Sequence, residues 1–306
     1  MEQNYNITVS KEEVDLRIDA LICKHYPQYS RSFIQKLIKN GSVTILDKTV
    51  KPNYKCKAND KIDISIPEPV EVDIKPENIP LDIVYEDNDI LIVNKPKGMV
   101  VHPSAGHYTG TLVNGLMYHC RDNLSGINGE LRPGIVHRID MDTTGLLIVC
   151  KNDFSHNEIA KQLKVHSVTR RYIALVRDNI VEDEGVVDAP IGRNKTDRKK
   201  MAINYQNGKR AVTHYKVLER FGAYTLIQCE LETGRTHQIR VHMASIHHPL
   251  LGDTVYGSEK QPFALQGQCL HAQVIGFIHP VTKQYMEFFA PLPDYFENLL
   301  DKLRNS

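Results

Sequence analysis

Four prolines, Pro67, Pro69, Pro76 and Pro80, fall within fourteen residues. Each removes a backbone donor and fixes φ near −65°, so no helix or interior strand can run through this stretch. It reads as an extended tether over 67–80. The chain is therefore expected to divide near residue 70, and 306 residues at about 150 per domain agree with two domains.

The segment before the prolines, 1–70, reads as a small αβ module. Val14, Leu16, Ile18, Leu21 and Ile22 suggest a first helix. Ser30 or Ser32 can cap a second helix, Phe33, Ile34, Leu37 and Ile38 form its apolar face, and Asn40-Gly41 stops it. Strand-like runs follow at 43–46 and 62–66. After the prolines, 81–306 reads as one larger domain. It has a hairpin at 83–93, helices near 112–117, 159–163 and 294–304, and strands at 146–150, 171–176, 211–218 and 224–231. Strands follow one another more often than they alternate with helices, which predicts an α+β fold with a mixed, mainly antiparallel sheet.

The formal charge of +1 conceals strong segregation. Arg31 to Lys61 holds eight basic residues, Arg31, Lys36 and Lys39 among them, against Asp47 and Asp60. Asp63 to Asp89 holds nine carboxylates against Lys75 alone. A third segment is basic again: Arg193, Lys195, Arg198, Lys199 and Lys200 oppose only Asp197. Such runs are ordinary solvated loops, or clamps on a phosphate backbone.

Several classes of function fit poorly. The longest aliphatic runs fall far short of the ~18 residues a membrane span needs, and the polar N-terminus lacks the regions of a signal peptide. The six cysteines are sparse, with no C-x-x-C, which suits a reduced cytoplasmic setting. No G-x-G-x-x-G occurs, and Gly208-Lys209 is followed by Arg210, so the phosphate-loop pattern fails. His237, His242 and His247 recur every five residues, which staggers them around a helix instead of stacking them for a metal.

Two polar clusters border apolar elements. One is 134–145, with His137-Arg138-Ile139-Asp140 and Thr143-Thr144-Gly145 ahead of Leu146-Leu147-Ile148-Val149. The other is 231–242, with Gly234-Arg235-Thr236-His237-Gln238-Ile239-Arg240-Val241-His242. Sheets display functional loops at such positions. Caps and surface ion pairs would explain either cluster alone, but two together, without a metal or phosphate loop, favour a site.

These residues resemble the signatures of RluA-type pseudouridine synthases, with Ile139 in place of the usual Leu. The resemblance continues in order: Asn94-Lys95-Pro96-Lys97-Gly98 with His102-Pro103, Arg171-Tyr172-Ile173-Ala174, His248-Pro249-Leu250-Leu251-Gly252-Asp253 and Leu270-His271-Ala272. The N-terminal module is similar to the RNA-binding domain named after ribosomal small-subunit protein four, through Arg17-Ile18-Asp19, Ser30-Arg31-Ser32, 38–43 and 59–62. Together these imply the branch acting on large-subunit ribosomal RNA, although related synthases act on transfer RNA. A binding or ribosome-assembly protein that kept the fold, and a histidine-based phosphoesterase, are the alternatives.

The resemblance implies isomerisation of uridine to pseudouridine without a cofactor or metal. Asp140 would be the essential carboxylate, as nucleophile or as base. An arginine must hold a carboxylate ionised in a dry pocket, and the resemblance puts Arg235 in that place. Arg138 would fill the stack vacated by the flipped base. Tyr172 alone reads as a strand aromatic facing the core; the resemblance puts it against the uracil. RNA is the implied partner, held by Arg31, Lys36, Lys39 and the basic run at 193–200, and a monomer is the default because no apolar seam appears.

Overall fold

The computed structural model describes residues 3–27, 29, 31–66, 74–104, 106–121, 123–127, 132–197, 200–258, 260 and 262–305. The chain forms two compact units, 1–72 and 73–306.

The first unit contains β1 (Gln3–Thr8), α1 (Ile18–His25), α2 (Arg31–Lys39), β2 (Val43–Ile45), β3 (Lys48–Thr49) and β4 (Lys61–Ile66). Its antiparallel sheet runs β1-β4-β2-β3. Alternation in β4 turns Ile62, Ile64 and Ile66 inward onto Ile18, Leu21, Ile22, Ile34, Leu37 and Ile38 of the two helices. The first helix starts later than its hydrophobic pattern suggested: Val14 and Leu16 lie in the approach to it and are partly exposed. Ser30 lies outside the described residues, and Ser32 is inside α2.

The helices are tied by a buried carboxylate. Asp19 accepts from Arg17 (3.1 and 3.0 Å), Arg31 (3.2 and 3.1 Å) and Gln35 (2.6 Å). Burial alone would raise its pKa; the three partners outweigh that and hold it below the usual carboxylate range.

Among the described residues the second unit is built on a sheet of nine strands. These are β5 (Ile83–Glu86), β6 (Ile90–Lys95), β7 (Thr144–Cys150), β8 (Thr169–Arg177), β9 (Glu184–Asp188), β12 (Val212–Arg220), β13 (Tyr224–Leu231), β14 (Leu270–Ile278) and β15 (Tyr285–Phe289). Between β9 and β12 a separate hairpin pairs β10 (Ile191–Arg193) with β11 (Met201–Ile203). The helices are α3 (Leu112–Cys120), α4 (Asp153–Lys164), α5 (Gln238–Ser245) and α6 (Asp294–Arg304). The order is β5-β6-β7-β14-β8-β13-β12-β9, with β15 on the β7 side of β14. Every pairing in it is antiparallel except β7 with β14, so the sheet is mixed as its strand order predicts.

Capping chemistry sets two of the helices. Thr111 accepts from the Asn114 amide while the Asn114 side chain accepts from Thr111 N, and Asn152 accepts from Ser155 N (2.9 Å). α6 covers one face of the sheet with Phe296, Leu299 and Leu300 against Ile173, Leu175 and Leu226.

The second half of the proline-rich stretch is packed onto this unit. Lys75 O accepts from the Asn114 side chain (2.8 Å), Glu77 N donates to Asn114 O (3.0 Å), and Ile74 is buried. Proline excludes a helix here, but the extended chain still satisfies its polar groups on α3. Residues 67–73 lie outside the described residues.

The parallel junction brings the loop ahead of β7 beside the start of β14, where Thr144 pairs with His271 and Gly145 with Ala272. Gly145 has φ +110°, and a Cβ there would lie 2.2 Å from Ala272 O. Gly145→Ala should therefore cost about 2 kcal/mol or more, measurable by urea denaturation as a lower midpoint with an unchanged slope.

Candidate active site

Asp140 sits in the loop before β7 and opens into a cleft of about 460 Å³. Its backbone carbonyl accepts from Thr143 N (3.1 Å), closing the turn that feeds β7. From beneath, Lys95 at the end of β6 donates to Met141 O (2.9 Å) and Pro96 O (2.7 Å). From the side, Gln268 donates to Thr143 Oγ1 (3.0 Å) and Thr144 Oγ1 meets His271 Nδ1 (2.8 Å). The loop that carries Asp140 is thus held by the end of β6 and by the chain at 268–271.

The guanidinium on Asp140 is that of Arg240, not Arg235. Arg240 Nη1 donates to Asp140 Oδ2 at 2.9 Å, while its Nε and Nη2 grip Asp253 at 2.6 and 3.0 Å. Asp253 is buried, and its Oδ1 also accepts from the amides of Val255 and Tyr256. Burial would lower the Arg240 pKa; Asp253, then Asp140, reverse that and raise it. Arg235 lines the same cleft, but its Nε donates to Arg210 O (3.0 Å). The two arginines are five residues apart in one motif. Only the helix start between them decides which points inward.

That start is unusual. His237 caps α5 with φ +56° in the left-handed region. Buried Gln238 winds the loop: its Oε1 accepts from Arg235 N (2.9 Å) and Thr233 Oγ1 (2.8 Å), and its Nε2 donates to Val212 O (2.9 Å) and Thr213 Oγ1 (3.0 Å). His237 Nδ1 lies 2.7 Å from Tyr256 Oη, which accepts from Met201 N (2.9 Å). All three groups are satisfied when Tyr256 donates to Nδ1, leaving the proton on Nε2, 3.7 Å from Asp140 Oδ1. Burial lowers the His237 pKa despite Asp140.

The remaining expected residues are more scattered. Arg138 is exposed at the rim, shared between the cleft and an adjoining pocket of about 320 Å³. Tyr172 is buried on β8 and lines the cleft; burial raises its phenol pKa, as does Asp140. Arg31 is bonded to Asp19, whereas Lys36 and Lys39 are exposed on α2. Arg193 ends β10 and is exposed; Lys195 donates to Gln206 (3.0 Å) and Lys200 to Val255 O (3.1 Å). Arg198 and Lys199 lie outside the described residues.

Among the described residues no group with metal-ligand spacing lies at the cleft. His242 is buried with its ring nitrogens on Thr213 Oγ1 (2.9 Å) and Ala189 O (3.0 Å). Among the described residues two groups have ligand-like spacing, Glu86 with His119 and Cys120, and Asp87 with Asp89 and His279. Neither touches the cleft. Glu86 is bonded to Lys151 and His119, and Asp87 to His279, Tyr85 and two amides. No described helix is long and apolar enough to cross a membrane.

A carboxylate gripped by one arginine at the mouth of a cleft, with a buried tyrosine on the adjoining strand, fits the family model described as RNA pseudouridylate synthase, which matches residues 89–245. The chain belongs to that family. A second model, the S4 domain, matches residues 16–62. The chain is 52% identical over 301 residues to an uncharacterised RNA pseudouridine synthase of Bacillus subtilis, covering 98% of both chains. It is 46% identical over 307 residues to the ribosomal large subunit pseudouridine synthase D of Zymomonas mobilis, covering 97% of this chain and 96% of that one. Among solved structures it is similar to human RNA pseudouridylate synthase domain containing 1, with a TM-score of 0.56 and 28% identity over 78% of this chain and 98% of that one. The chain is a pseudouridine synthase with an N-terminal S4 domain.

Sequence reasoning passed over Lys95, Asp253 and Arg240 as site residues, although all three lie within the motifs that carry the family resemblance. Lys95 is fully buried, which brings its pKa down to about 7, and Asp142 and Asp140 oppose that only in part. The unfolded chain keeps the ordinary value of 10.5. Between these values the unfolded state binds more protons than the folded one, so this group makes stability rise as pH rises from about 7 to about 10. Lys95→Met should remove up to about 1.4 kcal/mol per pH unit from that slope, read from urea denaturation at pH 7, 8, 9 and 10.

Proposed function

We propose that this synthase isomerises specific uridines in large-subunit ribosomal RNA, with Asp140 as its essential group and no cofactor, acting as a monomer in the cytoplasm. The observation that carries the role of Asp140 is its bond to Arg240, itself fixed by Asp253. A carboxylate fixed this way at the cleft is positioned to attack the ribose or take a proton from it. The isomerisation needs no redox step and no transferred group, so its first requirements are an anion, a cavity for the flipped base and an aromatic wall. Both Tyr172 and Arg138 line the cleft; in this reading Tyr172 is the wall and Arg138 enters the vacated stack.

Support for ribosomal RNA comes from the relatives named for the large subunit, which align over nearly the full chain, S4 domain included. Lys36 and Lys39 on α2, and Arg193, Lys195, Arg198 and Lys199 in the basic run at 193–200, are the proposed phosphate contacts. Replacing any one of them by an uncharged residue should reduce the salt slope by about 0.7 on single-stranded RNA.

Asp140→Asn should abolish tritium release from carbon-five-labelled uridine in RNA while Tm and RNA binding persist; turnover by this variant would overturn the assignment. Arg240→Lys should lose more turnover than Arg235→Lys, because a point charge cannot bridge two carboxylates in a planar fork. Pseudouridine mapping in cells lacking the protein should show sites missing from large-subunit ribosomal RNA. Loss confined to transfer RNA would replace the substrate.

A further inference from the structure

Arg170 is the one arginine lining the cleft, among the described residues, that is buried without a carboxylate. It is 7% exposed, and its bonds among the described residues are long ones from Nη2 to Glu232 O (3.2 Å) and Leu231 O (3.4 Å). Its Nε is buried with no partner. Arg240, equally buried, has two carboxylates instead. A guanidinium remains charged throughout the physiological range, so Arg170 is a buried cation whose desolvation is offset, among the described residues, only by those two backbone carbonyls and by no carboxylate. The chain also makes room for it: a Cβ on Gly234 would lie 2.6 Å from Arg170 Nη1.

Arg170 and Tyr172 stand two residues apart on β8, so their side chains leave the same face of the sheet, into the cleft that Asp140 also lines. The reaction creates a negative charge there. When the bond from ribose C1′ to uracil N1 breaks, its electron pair stays on the base and spreads onto the carbonyl oxygens. The base then turns, C5 bonds to C1′, the C5 proton leaves and N1 ends protonated. Nothing enters or leaves overall, whichever role Asp140 takes.

We propose that Arg170 is a further catalytic residue, which donates to a carbonyl oxygen of the detached uracil and stabilises its negative charge while the base turns. This rests on the cleft at Asp140 being the reaction centre. A fixed donor in a dry site acts on charge as it develops, which is where such groups contribute most to rate.

The test compares transcripts made with uridine or with 5-fluorouridine, using whichever of ribosomal or transfer RNA the wild-type protein modifies. Single-turnover loss of the target nucleoside is read by nuclease digestion and chromatography. Fluorine withdraws charge from the base and makes it a better leaving group, so it needs less help from the protein. Arg170→Met should slow the uridine transcript about 100-fold and the fluorinated one by under about tenfold, with RNA affinity unchanged. Gly234→Ala, which displaces the guanidinium without removing it, should show a smaller loss with the same dependence on fluorine. It carries the test if Arg170→Met does not fold. Equal losses on both transcripts, or a loss confined to RNA affinity as for a phosphate contact, would overturn the proposal. Asp140→Asn runs in parallel. Turnover by that variant removes the cleft as the reaction centre and both readings with it, whereas an inactive Asp140→Asn with equal Arg170→Met losses removes only the role of Arg170.

Discussion

One guanidinium, that of Arg240, joins the parts of the catalytic unit. It bridges Asp140 on the loop before β7 and Asp253 on the loop beyond α5. A lone buried arginine would be costly. Arranged as acid–base–acid, with the outer acid also accepting two amides, each group satisfies the next. The other polar contacts serve this arrangement: Gln238 winds the loop that starts α5, Tyr256 spans His237 and the Arg240 face, and Lys95 supports the Asp140 loop.

Much of this was legible in the chain. Hydrophobic patterning located α2, α3, α4, α6 and the strands β5, β6, β7, β8, β12 and β13, but not β9, β14 or β15 of the same sheet. Helix α5 escaped that reading for a physical reason. Its buried positions include Gln238, Arg240 and His242 beside Ile239, Val241 and Met243, so no apolar stripe marks it. The same polar burial hid which arginine meets Asp140. Choosing Arg240 over Arg235 requires knowing that the backbone turns left-handed at His237 and begins a helix there. Asp253 was likewise unreadable as a partner, since its role depends on a loop returning across the sheet.

The charge pattern changes meaning with the fold. Arg31, which counts as basic in the sequence, is half of an internal tie to Asp19, so α2 offers Lys36 and Lys39 more freely than the raw tally implies. Lys200 likewise anchors the β10–β11 loop onto the Val255 backbone, close to the wall of the site. Net positive charge in a segment therefore overstates what is available to a phosphate backbone.

The single parallel junction between β7 and β14 has a kinetic consequence. Thr144 and His271, which meet there, are 127 residues apart. The loop bearing Asp140 cannot take its final support until β14 has been made and has docked, so during synthesis the carboxylate exists long before its surroundings do. A closure of that span is slow compared with forming the β5–β6 hairpin. The last strands of the sheet thus act as a timer: activity should appear late and all at once in folding, with the hairpins and α3 already in place.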